Sequence, residues 1–304
     1  MLATGTQARG RCPTPLRFLN VIAKAGRWMS PEKHAYSLIP FWSYQMNNQS
    51  MKPLKIGQTL LFTIVPAIVV YIAHWIIAPG LSARLSQPYL ITYLICWGTT
   101  ELFFLVAALV AYRVEGNILQ WRSFIKRYRL GRPSKSDIAW SIVVLVLMLA
   151  TNQALAFTAQ WLASMAIFSP HPSFPPELTP NSLSSIVPGV FMGMTLKGAW
   201  WVVIVYVFGW VFNILGEELW YRGFMLPRQE LAHKQLGWLV NGLSFWFLHI
   251  VWKWNLIALL PGALILSYVA QRRKTTWVGI IAHGLLNFTP IIAITAGVLG
   301  WWAA

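Results

Sequence analysis

Long runs of apolar residues constrain this chain more than any other feature. A helix needs about 20 apolar residues to cross a hydrocarbon core of about 30 Å, and several runs approach or exceed that length. We therefore predict an all-α fold, a polytopic transmembrane helix bundle of about seven or eight spans. The seven runs that can be delimited are residues 60–78, 89–112, 138–168, 198–226, 238–252, 255–270 and 277–302.

Composition excludes the main soluble classes. Hydrophobic residues make up 57% of the 304 positions and charged residues 11%, where soluble domains have roughly 45–50% and about 25%. The net charge of +16 does not indicate a partner nucleic acid, because such a binder would carry more charge and fewer than the 18 tryptophans found here. The two cysteines are too few and too far apart for a disulfide framework or a metal knuckle.

The distribution of the basic residues predicts an orientation. Cytoplasmic loops of membrane proteins carry an excess of Lys and Arg. With seven spans and a cytoplasmic N-terminus, 21 of the 24 basic residues fall on the cytoplasmic side, and Arg84, Lys197 and Lys253 fall outside. We therefore expect a multi-pass protein of the cell membrane, in contact with the lipid bilayer.

Three segments are expected along the chain. Residues 1–57 form a basic N-terminal cytoplasmic segment, residues 58–197 hold the N-terminal transmembrane helices and loops, and residues 198–304 form a catalytic transmembrane core. Whether residues 1–57 are removed as a targeting segment, or reflect an over-extended start, stays open. The stretch 183–196 could form a re-entrant or additional helix, which would change the number of spans.

Ionisable groups inside apolar spans are costly, and each is by default a functional hypothesis. At the end of the fourth span, Glu218 and Arg222 are four residues apart and lie on the same helix face, so we expect a structural ion pair. The neighbouring Glu217 is rotated by about 100° and lacks this partner, which leaves its carboxylate available for chemistry.

Two further polar motifs follow in the next spans. Phe245 precedes His249 by one helical turn, and His283 precedes Asn287 by the same spacing. Each motif alone is weak, because polar residues four apart often tie membrane helices together. Together they supply a carboxylate, two imidazoles and an amide, the groups needed to activate water and stabilise an oxyanion.

The three motifs resemble those of the CAAX prenyl endopeptidase and bacteriocin-processing family of intramembrane proteases, also called the CPBP or Abi family. Its patterns EExxxR, FxxxH and HxxxN stand here at residues 217–222, 245–249 and 283–287. The resemblance covers about residues 198–302 and places the catalytic core in the last four spans.

The resemblance implies an endopeptidase of the type II CAAX prenyl protease kind. Glu217 would be the general base and His249 its partner in activating water, while His283 and Asn287 would orient or stabilise the tetrahedral intermediate. The implied substrate is a membrane-associated polypeptide, either a prenylated CAAX protein or a leader peptide. Because Arg222 and Arg228 are assigned inside, we expect the site to open toward the cytoplasmic side.

Several alternatives stay open on the sequence alone. We expect no cofactor, but a zinc site built from Glu217, His249 and His283 would also suit a hydrolase. A non-enzymatic scaffold or immunity protein, and a proton-linked transporter, are the competing classes of function. Glu101 could neighbour the site, although a structural role is the preferred interpretation, and His74 is expected to lie at the membrane interface.

Overall fold

The computed structural model describes residues 51–180 and 189–301, so most of the predicted N-terminal segment lies outside the described residues. Helices dominate the described part, as predicted. Within it, twelve α-helices, numbered here in chain order, occupy α1 Ile56–Ile72, α2 Ala78–Leu85, α3 Tyr89–Val114, α4 Trp121–Arg127, α5 Lys135–Leu155, α6 Phe157–Ala163, α7 Trp200–Glu218, α8 Leu226–His233, α9 Gly237–Leu248, α10 Leu256–Arg273, α11 Trp277–Leu286 and α12 Thr289–Leu299.

Five helical stretches among the described residues are long and apolar enough to cross a membrane, and the chain is an integral membrane protein. They are Ile56–Leu85, Tyr89–Val114, Lys135–Leu155, Trp200–Arg273 and Trp277–Leu299. The fourth, at 74 residues, is a succession of α7 to α10 rather than one rod. The count of seven or eight spans, and the boundaries at residues 57 and 197, stay predictions.

Three details differ from the sequence-based expectations. The apolar run 138–168 divides at Ala156 into α5 and α6, and the last run divides between α11 and α12. Within the stretch 183–196, residues 190–195 form a two-stranded hairpin, β1 (Val190–Phe191) and β2 (Met194–Thr195), rather than a helix, and residues 183–188 lie outside the described part. Its turn residues Met192 and Gly193 both have positive φ, at 47° and 80°, as a two-residue hairpin turn requires.

Close helix packing brings the two halves of the chain together. Helix α7 packs against α3, and α10 and α11 both pack against α5. Helix α7 approaches the backbone of α3 closely at Gly216, where a β-carbon would lie 2.7 Å from the carbonyl oxygen of Glu101. Small residues commonly permit such contacts between membrane helices, and here the contact sets Glu101 beside the end of α7.

Ion pairs gather the basic loops at one end of the bundle, called the basic end. Glu115 binds Arg127, Glu230 binds both Arg129 and Lys274, and Asp137 binds Arg273. The N–H of Leu54 donates to the carbonyl of Arg228 and joins the start of α1 to the same region. The loops predicted to share one membrane side therefore contact one another.

Aromatic side chains gather at the opposite end, called the aromatic end. The ring of Trp75 contacts Phe174 and Trp254, and its indole N–H donates to the carbonyl of Val251 at 2.9 Å. Aromatic residues are enriched where a membrane meets water. His74, expected at this interface, is instead buried within the π-helical turn Ala73–Ile77, and its Nδ1 is bonded to the carbonyl of Val70.

The ion pair between Arg127 and Glu115 provides a test of the basic end. The guanidinium makes two bonds to the carboxylate, at 2.6 and 2.5 Å, and only 3% of the Arg127 side chain is exposed. We expect Arg127→Met to reduce the free energy of unfolding by about 3 kcal/mol, since the mostly buried Glu115 would keep, as an ion pair, only its 3.9 Å contact with Arg228. Thermal unfolding of the purified protein in detergent measures the change.

The control is Arg132→Met. Arg132 is exposed and has no ion pair within the described part of the chain, so its replacement should leave the unfolding temperature unchanged. Equal losses in the two variants would contradict the structural role of the Arg127 pair.

Candidate active site

Helix α7 carries the first motif to the middle of the bundle. The side chains of Asn213 and Glu217 are one turn apart and both buried, and Asn213 Nδ2 donates to Glu217 Oε1 at 2.7 Å. The second carboxylate oxygen, Glu217 Oε2, is buried without a hydrogen-bond partner among the described residues. Glu217 is therefore held through one oxygen, and its other oxygen has no hydrogen bond among the described residues, with Glu101 nearby.

Glu218 forms the expected structural pair with Arg222. Its Oε1 accepts from Arg222 Nη1 at 3.1 Å, and both side chains are completely buried. Residues Leu219–Met225 form a π-helical turn, a feature frequent at functional sites. The same Glu218 oxygen lies 3.0 Å from His283 Nδ1, so the carboxylate also holds the imidazole of the third motif.

A continuous hydrogen-bond chain joins the first and third motifs. Asn287 Nδ2 lies 2.9 Å from both Asn213 Oδ1 and His283 Nε2. Since the amide nitrogen only donates, His283 Nε2 is the acceptor and His283 Nδ1 carries the hydrogen that is donated to Glu218. The chain runs from Glu217 through Asn213, Asn287, His283 and Glu218 to Arg222.

His249 of the second motif has a separate anchor. Helix α9 ends at Leu248. The backbone N–H of His249 donates to the carbonyls of Trp246 and Phe247, and not to that of Phe245, four residues before it. The carbonyl of Phe245 is therefore free of the usual helical bond, and it accepts from His249 Nδ1 at 2.9 Å. This bond fixes the tautomer, so Nε2 is left as an acceptor.

The ring of Phe245 holds the three motifs together. The guanidinium carbon of Arg222 lies over this ring, 3.8 Å from the ring centroid. The ring also makes edge-to-face contacts with His249 and His283, at centroid distances of 4.8 and 5.5 Å. An aromatic ring in this place offers a negative face to the cation and packs against both imidazoles.

Two further residues lie beside the motif residues: Asn213, which was not singled out from the sequence, and Glu101, which was expected either to neighbour the site or to have a structural role. Asn213 belongs to no motif, and only its spacing of four residues before Glu217 marks it. Glu101 on α3 lines the same cavity as Glu217, within interaction range of Asn213 and Glu217. Its position in the middle of an apolar span was the available signal.

The site residues lie along a cavity of about 440 Å³. Glu217, His249, His283 and Asn287 all line it, whereas Glu218 and Arg222 lie behind its wall. The rest of the lining comes from residues closer to the aromatic end, among them His74, Tyr93, Trp97, Tyr206, Trp252 and Asn255. The cavity therefore extends away from the basic end, which differs from the expectation that the site opens toward the basic loops.

The residues present do not fit the three-ligand zinc site. Glu217 and His249 each have a free atom, but both ring nitrogens of His283 are engaged, one by Glu218 and the other by Asn287. Among the described residues, no group of three His, Cys, Asp or Glu is arranged to hold a metal ion. A zinc ion bound by His283 would have to replace one of these two hydrogen bonds.

Comparison with known proteins agrees with the motifs. Residues 199–289 match a family model described as type II CAAX prenyl endopeptidase Rce1-like. The matched range contains all three motifs, so the resemblance to this family is confirmed. At the level of the family, the match supports an intramembrane protease of CAAX type. Searches of curated proteins and of solved structures gave no significant match.

Two glycines on α11 test the packing behind the site. A β-carbon at Gly279 would overlap the carboxylate of Glu218, whereas one at Gly284 would meet Trp210 and Ile214 at ordinary distances of 3.6 and 3.7 Å. We expect Gly279→Ala to displace Glu218, break its bonds to Arg222 and His283, and lower the free energy of unfolding by about 3 kcal/mol.

The matched control is Gly284→Ala on the same helix, which should unfold at the temperature of the unmodified protein. Thermal unfolding in detergent compares the two variants. Equal stability of both would show that the Glu218 carboxylate is not confined as the structure has it.

Proposed function

We propose that the chain is an intramembrane endopeptidase in which Glu217 and His249 activate a water molecule. One observation carries this proposal: Glu217 Oε2 and His249 Nε2 both lack a hydrogen-bond partner among the described residues, and both residues line one cavity inside an apolar bundle. A carboxylate and a neutral imidazole that share a cavity can together bind and deprotonate a water molecule.

The proposed reaction begins with a water molecule between these two atoms. Glu217 takes one proton as the water oxygen bonds to the peptide carbonyl carbon, and His249 Nε2 accepts the second O–H as a hydrogen bond. Collapse of the tetrahedral intermediate breaks the C–N bond, and the proton held by Glu217 passes to the leaving nitrogen. The products are a new carboxyl terminus and a new amino terminus.

Asn287 and His283 act mainly through orientation in this proposal. The amide of Asn287 binds Asn213, which in turn binds Oε1 of Glu217 and so orients the carboxylate. His283 connects Asn287 to the buried Glu218–Arg222 pair. Asn287 also lines the cavity. We assign to it the stabilisation of the oxyanion, in exchange for one of its two bonds within the chain.

The proposed substrate is a membrane-associated polypeptide, either a prenylated CAAX protein or a leader peptide. Both fit an apolar bundle whose family match is to type II CAAX prenyl endopeptidases. We further propose a multi-pass protein of the cell membrane with the basic end, and therefore the N-terminus, on the cytoplasmic side, because positive charge collects there.

The general-base role is tested with Glu217→Gln. This change keeps the volume and the bond from Asn213 but removes the proton acceptor. We expect the purified variant to retain polypeptides that the active protein releases as fragments, so mass spectrometry of the co-purifying chains identifies the substrate. With that substrate, the hydrolysis rate should fall by about 10²- to 10⁴-fold.

The control is Glu177→Gln, a change of the same kind in the loop before β1. Glu177 Oε1 only accepts the N–H of Met192, so this variant should hydrolyse the substrate at the unmodified rate. Both variants should accumulate normally. Unchanged hydrolysis by Glu217→Gln would overturn the mechanism, and reduced accumulation of that variant without any turnover by the unmodified protein would favour a scaffold.

We also propose that hydrolysis needs no metal ion, because His283 has no free ring nitrogen for one. Chelators with high affinity for zinc should therefore leave the hydrolysis rate unchanged, and elemental analysis of the active protein should find less than stoichiometric metal. Loss of activity with a chelator, restored by added zinc, would establish the metal-dependent alternative.

A further inference from the structure

The cavity lining is distributed unevenly along the helices that cross the bundle. Helices α3 and α10 begin at the aromatic end, and the lining residues come from their first halves, Tyr93 to Glu101 and Leu259 to Ala263. Helix α5 begins at the basic end, and its lining residues come only from its last turns. The cavity thus lies between the motif residues and the aromatic end.

The basic end is closed behind the site. Arg222, Tyr221 and Tyr128 are all fully buried, and a β-carbon at Gly223 would overlap the ring of Tyr128. The hydroxyl of Tyr128 donates to the carbonyl of Ala108 at 2.5 Å and fixes the ring in this layer. A polypeptide that came from the basic end would have to displace these side chains.

The mouth of the cavity is marked by lining residues that are also exposed. Leu149 and Asn152 on α5, and Thr289 at the start of α12, are the exposed members of the lining. Asn152 lies about 26 Å along α5 from Lys135, at 1.5 Å per residue, and therefore near the aromatic end. The mouth opens between α5 and the junction of α11 and α12.

The mouth has the chemistry to receive an unwound chain. The side-chain amide of Asn152 has no hydrogen-bond partner among the described residues, although it stands on an apolar helix. Backbone groups that leave a helix inside a membrane need such partners, and an amide offers both a donor and an acceptor. Behind it, Tyr93, Trp97 and Tyr206 supply aromatic walls for apolar side chains.

We propose that the substrate is a membrane-inserted polypeptide rather than a prenylated CAAX protein at the cytoplasmic surface, and that it enters through this mouth, from the aromatic end of the bundle, as an unwound apolar segment. The amide of Asn152 and the oxygen of Thr289 bind its backbone on the way to Glu217. This inference rests on the proposed function, but access to the cavity can be measured without any turnover.

The first test is the side from which the cavity can be reached. In a background with Cys12→Ser and Cys96→Ala, single cysteines are placed at the mouth, Thr289→Cys, and at the exposed basic-end residue Leu236, Leu236→Cys. The proteins are reconstituted in sealed vesicles, and a membrane-impermeant maleimide is added from one side at a time. We expect the two cysteines to be labelled from opposite sides; labelling from the same side would overturn the inference.

The second test blocks the mouth in the otherwise unmodified chain. Thr289→Trp places a bulky ring in the opening, and we expect it to lower kcat/KM for the captured substrate by about tenfold or more, because productive binding is obstructed. Leu285→Trp is the matched control, since Leu285 is exposed on α11 but does not line the cavity. Its hydrolysis rate should be unchanged.

The outcomes separate the two proposals. Equal activity of Thr289→Trp and Leu285→Trp would overturn entry through this mouth and leave the peptidase function standing. An unmodified protein that hydrolyses no polypeptide would overturn the proposed function, while the labelling pattern would still decide from which end the cavity opens.

Discussion

The structure around the candidate site depends on one buried carboxylate. Glu218 Oε1 accepts from Arg222 and from His283, and the cation of Arg222 lies over the ring that packs against both histidines. A charge in this place would be prohibitively costly without its partner. Glu218, Arg222, His283 and Phe245 therefore fix α7, α9 and α11 relative to one another. The hydrogen-bond chain through Asn287 and Asn213 then orients Glu217.

Two neighbouring glutamates thus have opposite tasks, and helical geometry separates them. A rotation of about 100° per residue turns Glu218 toward α11 and Glu217 toward the cavity. Asn213 then binds one oxygen of Glu217 and leaves the other unpaired. Glu218 also has one oxygen without a hydrogen-bond partner among the described residues, so what distinguishes Glu217 is that it lines the cavity, where a water molecule can bind it.

The sequence was sufficient for the features that depend on local spacing. The i,i+4 rule predicted the pair of Glu218 and Arg222, and the length of the apolar runs predicted the helical membrane bundle. Features that depend on packing between distant segments were not predictable. Glu101 reaches the site only because α3 meets α7 at Gly216, and the cavity extends toward the aromatic end because Tyr128, from a loop, is packed against Gly223.

The central claim is that Glu217 activates water for peptide-bond cleavage, and it can be tested before the substrate is identified. Membranes that contain the unmodified protein, Glu217→Gln or Glu177→Gln are compared by mass spectrometry of newly formed polypeptide termini. The account predicts membrane polypeptides whose new termini appear with the unmodified protein and with Glu177→Gln, and disappear with Glu217→Gln. Identical sets of termini in all three membranes would contradict it.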